Sequence, residues 1–302
     1  MERIKKLIYQ WIDKKFLDGC SSYNSLEVRR NSRSKELSRD MFARLNVPHA
    51  KGAVFFSPTK AFQFVKEHGF PVVIKPNVSG FSRGSHFPIR NYRELLKASL
   101  MVKVWWPFSI IETYLEGHNY RVVVIPGEIM AVIERYPPFV TGNGEDDIET
   151  LINTENSIKK EMQLAPCMHP IVISASVIKS LAKQGLRLDS IPKKDEQINV
   201  LNKIALKPGG VVETLDVDKI HADIKNLCFD LLAGFDANIL GIDIIMSDSI
   251  EKSHKQQDCI FLEVNSRPYL KMHDFPRYGE KPDLSASYKK LEGFKIENQD
   301  VF

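Results

Sequence analysis

Two apolar runs, Tyr120 to Ile125 and Glu128 to Arg135, face each other across a Pro126-Gly127 turn. Apolar runs on both sides of so tight a turn predict an antiparallel hairpin. That hairpin commits the chain to a sheet, and other β-rich runs supply its partners. Strands are predicted at Ala53 to Phe56, Pro71 to Lys75, Phe108 to Glu112, Gln197 to Leu206, Asn238 to Met246 and Asp258 to Val264. Helices are predicted at Ser34 to Leu45, Ser57 to Lys66, Asn91 to Lys103, from Asp147 through Ile152, within His169 to Gly185, and at Asp218 to Gly234. Ser21 to Asn31 is polar and reads as loop, and no internal repeat is visible. Helices against mostly antiparallel strands give an α+β fold class.

Composition narrows the function classes. The 302 residues are 43% hydrophobic and 26% charged, which excludes disorder, collagen and coiled-coil arrays. A net charge of +4 does not predict a nucleic-acid binder, yet it tolerates an anionic small molecule. Cys20, Cys167, Cys228 and Cys259 lie far apart with no zinc or redox spacing, which argues for a reducing, cytoplasmic setting. No apolar run reaches the roughly 18 residues of a spanning helix. At the N-terminus Ile4, Leu7, Ile8, Trp11, Ile12 and Phe16 recur at helical spacing between lysines. Such a helix either packs on its own domain, the commoner case, or lies on a membrane surface or partner.

Three segments carry chemistry. Lys75 ends a strand and is followed by a loop with Gly80 and Gly84, where backbone N–H groups and an ammonium can approach phosphate oxygens. It is not a Walker A loop, and alone it is a weak signal, since a strand turn with two glycines is often only a turn. Asp243 stands inside Gly241-Ile242-Asp243-Ile244-Ile245, and Glu263 and Asn265 stand two apart in Phe261-Leu262-Glu263-Val264-Asn265. Residues two apart on a strand share a face. With an Asp from a neighbouring strand they form an all-oxygen set suited to Mg²⁺; the alternative is strand-end carboxylates facing water. Ile110 to Gly117 is equally a nucleotide hinge or a plain strand end. Phe87, Trp105 and Trp106 read as core, and His118, His169, His221 and His273, which lack ligand spacing, as non-catalytic.

Taken in order from about Asn31 to Pro276, these blocks resemble the ATP-grasp superfamily, in particular the ATP-grasp portion of cyanophycin synthetase and of bifunctional glutathione synthetases. Lys35 resembles the family's first phosphate lysine, and Phe70 to Pro76, with Lys75, the strand bearing the second. Ser79, Gly80, Ser82 and Gly84 resemble the glycine-rich loop over the phosphates. Glu112, Tyr114 and Leu115 resemble the adenine hinge, and Asn119 falls where an acid usually holds the ribose. Arg121 and Arg135 resemble the two arginines near the γ-phosphate and acyl group, and Arg267 follows the metal block of Asp243, Glu263 and Asn265. Asn119, Ala205 and Tyr269 depart from the family pattern, and Tyr269 stands where Gly usually follows the Pro.

The resemblance implies an ATP-grasp fold, two α+β subdomains clasping a nucleotide, with the family's N-terminal pre-grasp domain truncated. The expected divisions are residues 1–30 (amphipathic helix and linker), 31–115 (small subdomain) and 116–302 (large subdomain with the metal site). It implies a ligase that joins a small-molecule carboxylate to an amine through an acyl phosphate, with ATP and one or two Mg²⁺ ions, Mn²⁺ being an alternative. Arg135, Arg121 and Arg267 are its expected catalytic groups. No nucleic-acid partner and no membrane span are expected, and a homodimer or partner is expected to complete the acceptor side. The competing function is a nucleotide-binding regulatory module without turnover, motivated by Asn119 and Tyr269.

Overall fold

The computed structural model describes residues 7, 8, 11, 20–77, 84–104 and 107–296. Leu7, Ile8 and Trp11 are helical and exposed, and the rest of the expected N-terminal helix lies outside the described residues. Helices α1 (Leu26–Arg33) and α2 (Lys35–Arg44) come first, each capped by a serine. Ser25 accepts from the Val28 amide at 3.2 Å, and Ser34 from the Leu37 amide at 3.3 Å. α1 occupies the segment that its polar composition assigns to a loop. Of its residues only Val28 and Ser32 are buried, so the Ser25 cap and those two packed positions hold a segment whose composition is otherwise polar.

A four-stranded sheet follows, from β1 (Gly52–Phe55), β2 (Val72–Pro76), β3 (His86–Ile89) and β4 (Ser109–Thr113), in the order β1-β4-β2-β3 with every pair antiparallel. Helices α3 (Pro58–His68) and α4 (Tyr92–Met101) cover it. Pro58 enters α3 at its first turn behind the Ser57 cap, and Gly69 ends it at φ 77°. Phe55, Phe64, Ile74, Leu95 and Ile111 form a core closed within this unit.

The rest of the chain builds a five-stranded antiparallel sheet. Its parts are β5 (His118–Ile125), β6 (Glu128–Tyr136), a short β7 (Phe139–Thr141), α5 (Ile148–Glu161), α6 (Ala175–Lys183), β8 (Gln197–Asn199) paired with β7, β9 (Val211–Thr214), α7 (Ala222–Gly234), β10 (Leu240–Met246), β11 (Cys259–Asn265) and α8 (Ser285–Glu292). The sheet order is β11-β10-β5-β6-β9, and the predicted hairpin is its β5–β6 pair. The predicted strand at 197–206 shortens to β8, and the helix within 169–185 to α6.

Alternation divides the faces of this sheet. Val122, Val124, Ile242, Ile244 and Val264 turn toward α7 and toward Val28, Phe42 and Val47. The residues between them, Arg121, Asp243 and Glu263, turn to the other face. α1 therefore runs through the expected boundary at residue 31, and α1 and α2 pack on the five-stranded sheet. The sheets meet where the Phe261 amide donates to the Pro48 carbonyl at 2.8 Å, which sets the edge of β11 beside the entry to β1. Among the described residues no helix is long and apolar enough to cross a membrane.

Candidate functional site

Register brings the predicted charges together. On the five-stranded sheet Asp243 lies opposite Arg121 on β5 and opposite Glu263 on β11, and Gly241 lies opposite Asn265. Asn119 lies opposite Arg135 on β6. The Asp243 carboxylate, 4% exposed, takes Nε of Arg121 on Oδ1, and on Oδ2 takes Nη2 of Arg121 and Nη2 of Arg135, each at 3.0 Å. Arg135 also donates from Nε to Asn119 Oδ1 at 2.7 Å. Burial works to raise the Asp243 carboxyl, but the two guanidiniums outweigh it and hold the group below the usual carboxylate range. Gly241 makes this possible: a Cβ there would stand 2.8 Å from Pro268 Cβ and 3.1 Å from Arg121 Nη1.

Opposite this cluster the lysines converge. Lys35, at the start of α2, reaches the Pro76 carbonyl at 3.4 Å. Lys75 on β2 forms an ion pair with Glu112 on β4, and Arg39 Nη1 stands 3.9 Å from the same carboxylate. Burial first, then the positive charge of Lys75, pull Lys35 down to about 8 against the opposing pull of Glu263 and Glu112. The Lys35 ammonium thus senses carboxylates from both sheets. Gly52 clears the space, because a Cβ there would meet Arg39 Nη1 at 2.5 Å and Glu112 Cγ at 2.7 Å. A small cavity lined by Arg39, His49, Ala50, Glu112, Phe261 and Leu262 lies where the two sheets meet.

The expected site residues fall as follows. Lys35, Lys75, Glu112, Asn119, Arg121, Arg135, Asp243, Glu263 and Asn265 stand on the facing parts of the two sheets and α2. Tyr114 stacks on Phe87 at 5.7 Å between ring centroids, and its amide is held by the Pro71 carbonyl at 3.0 Å. Leu115 follows it, half-buried. Gly84 adopts φ 71°, a conformation that favours glycine, while Ser79, Gly80 and Ser82 lie outside the described residues. Arg267 is exposed beyond the end of β11. Trp105 and Trp106 also lie outside the described residues. Sequence reasoning missed Arg39, although it follows Lys35 by one helical turn on the same face. It also missed Asn24, Ser32 and Ser266. Ser32 Oγ donates to Ser266 Oγ at 2.7 Å, and Asn24 Nδ2 to the Ser266 carbonyl at 2.8 Å, which ties α1 to the residue after Asn265.

The donor set fits a hard cation. Among the described residues no three of His, Cys, Asp and Glu gather into a cage; here the third ligand would be the Asn265 side-chain oxygen, on an amide whose Nδ2 donates to Glu263 Oε1 at 3.5 Å. Two carboxylates and an amide on one face suit Mg²⁺, which keeps several waters and shares its remaining positions with phosphate oxygens. Asp243 Oδ1 accepts one hydrogen bond and Oδ2 two, so a lone pair on Oδ1 is left for a cation.

No family model matches the chain. Over 222 residues, 72% of the chain, it is 33% identical to a cyanophycin synthetase from Synechocystis sp., covering 25% of that protein. Over 255 residues, 82% of the chain, it is 30% identical to the glutathione biosynthesis bifunctional protein GshAB from Clostridium perfringens, covering 32% of it. The chain thus spans a quarter to a third of the length of these relatives. In fold it is similar to a bifunctional glutathione synthetase from Pasteurella multocida, with a TM-score of 0.64 and 23% identity over 90% of this chain and 38% of that one. It is also similar to the ATP-grasp ligase PsnB, with a TM-score of 0.52 and 13% identity over 90% of this chain and 63% of that one. The two sheets with their facing cations and oxygens are an ATP-grasp fold, and the chain belongs to the ATP-grasp superfamily.

Proposed function

We propose that the chain is an ATP-dependent ligase that joins a small-molecule carboxylate to an amine and releases ADP and phosphate. One observation carries this reading: Lys75 from one sheet, Lys35 from the helix between, and an arginine pair with three oxygen donors from the other sheet converge where the sheets meet. Cyanophycin and glutathione synthetases among the relatives support it.

Lys35 and Lys75 would hold the phosphates of ATP, and the segment from Ser79 through Gly84, with Ser82, would cover them. Glu112, Tyr114 and Leu115 would border the base, with Asn119 toward the ribose. Asp243, Glu263 and Asn265 would hold Mg²⁺, with Mn²⁺ able to take its place. The bound ion supplies positive charge that neutralises the phosphate oxygens. Arg121 and Arg135 would hold the incoming carboxylate against the γ-phosphoryl group, where anion repulsion must be offset. A carboxylate oxygen forms a bond to the γ-phosphorus as the bond to the β,γ-bridging oxygen breaks, and ADP departs. The amine nitrogen then attacks the acyl carbon, the carbon–oxygen bond to phosphate breaks, and the amine proton leaves with phosphate or water. Closure of the two sheets over the reacting groups would exclude water and so protect the acyl phosphate from hydrolysis.

The test is an ADP-release screen against pairs of amino acids and short peptides. Release only when carboxylate and amine are both present is expected. AMP and pyrophosphate as products would overturn the acyl-phosphate route, and nucleotide binding without turnover across the panel would leave the regulatory module as the better reading.

A further inference from the structure

Just beyond Asn265, the chain makes a 3-10 turn, Leu270–His273, that buries its last side chain completely. His273 is 0% exposed, and neither Nδ1 nor Nε2 has a hydrogen-bond partner. Buried imidazoles without partners are uncommon, because a phenylalanine or leucine would fill the same space with no polar atom left unmet. The turn packs on β6, the strand of Arg135, and Met272 beside it shares a core with Ile133, the residue that lies opposite Arg121. Burial first, then those two guanidiniums, pull the ring down to about 3. So weak a base is ill-suited to take a proton from an amine, and a ring under the field of two cations is ill-suited to bind a third.

What remains is the chemistry of a neutral acceptor. Asp243 occupies Nε and Nη2 of Arg121 and Nη2 of Arg135, and Asn119 occupies Nε of Arg135. When a substrate oxygen draws a guanidinium round by one N–H, a second N–H that Asp243 held loses its acceptor, and the buried His273 ring carries an unmet one. We propose that His273 is a positioning residue for the arginine pair: its neutral ring accepts a guanidinium N–H when a phosphoryl or acyl oxygen draws Arg121 or Arg135 from Asp243. The inference rests on the ligase reading above and adds to it the group that fixes where those arginines stand during phosphoryl transfer.

The test uses the full chain with ¹⁵N-labelled histidine and Mg²⁺ with AMP-PNP as probe. Calorimetry first establishes whether the probe binds. No binding overturns the nucleotide reading, and this inference falls with it. With binding established, the His273 ring is expected to be neutral, and the signal of its bare nitrogen to move upfield as it accepts a hydrogen bond. Ring signals that stay fixed while the probe binds overturn the role of His273 and leave the nucleotide reading intact. On the carboxylate–amine pair found in the screen, His273→Phe is expected to lower kcat roughly tenfold or more with KM for ATP changed by less than about twofold. His273→Gln, which keeps an acceptor, should recover part of the loss. Wild-type kcat in His273→Phe would make the ring a space filler; should that variant not fold, the ring signals of the native chain decide alone.

Discussion

At Asp243 burial alone favours the protonated acid, and the guanidiniums of Arg121 and Arg135 reverse that preference. Its folded pKa lies below the unfolded value of about 3.9. The stabilisation is therefore present above that pH and is lost as pH falls through the folded value. Asp243→Asn keeps the shape but leaves two guanidiniums facing a neutral amide. A loss of about 3 kcal/mol is expected, read by urea unfolding at pH 7, together with loss of ADP release. Lys35 gives the opposite case. Burial and the Lys75 ammonium pull it down to about 8, so between about pH 8 and pH 10 the unfolded chain binds a proton that the folded chain does not. The contribution of Lys35 to stability therefore rises with pH across that window. A triphosphate beside it restores its proton, and nucleotide binding at pH 8.5 should take up protons from the medium. Calorimetry in two buffers of different ionisation enthalpy measures that uptake. Uptake that survives in Lys35→Met would remove Lys35 from the phosphate site.

Elements were legible in the sequence where local chemistry decides them. Pro126-Gly127 announces the β5–β6 hairpin, and an acid and an amide two apart in an apolar run, Glu263 and Asn265, announce the polar face of β11. Ser34 and Ser57 announce the starts of α2 and α3. The failures have a common physical cause. α1 buries little of its own surface and is held by Val28 and by Ser32 against Ser266, contacts made with residues far along the chain. β9 buries Val211 and Val212 only by pairing with β6. His273 shares that dependence: nothing in Lys271-Met272-His273-Asp274 marks its histidine as buried, and only the tertiary fold makes it so. The junction between the sheets yields a prediction at this scale. At Gly117, between β4 and β5, a Cβ would stand 2.1 Å from the Met246 carbonyl oxygen and 2.7 Å from its carbon. Backbone cannot yield as a side-chain tip can, so Gly117→Ala must displace the end of β10. A loss of up to about 3 kcal/mol is expected, seen as a lower urea midpoint with unchanged slope.

Across the whole molecule the charges are divided between two units with separate cores. The core around Phe64, Ile74 and Leu95 shares no residue with the core around Phe42, Val122 and Ile242. Lys75 and Glu112 belong to the first unit, while Arg121, Arg135, Asp243, Glu263 and Asn265 belong to the second. Lys35 sits between them on a helix that packs with the second, yet it reaches the Pro76 carbonyl of the first. A nucleotide whose phosphates touch both sets must favour the joined arrangement over either unit opening alone, because binding stabilises only the state that presents all of its contacts. At one hundred times its dissociation constant, a ligand selective for that state adds about 2.7 kcal/mol. Hydrogen exchange with Mg²⁺ and AMP-PNP should therefore show β2 and β4 gaining protection together with β5 and β10, by similar amounts. Lys75→Met and Asp243→Asn, one in each unit, should each reduce the gain in both sheets. Protection confined to the sheet that holds Asp243 would mean that the ligand occupies one unit only, and the clasp of two units around a nucleotide would then be wrong.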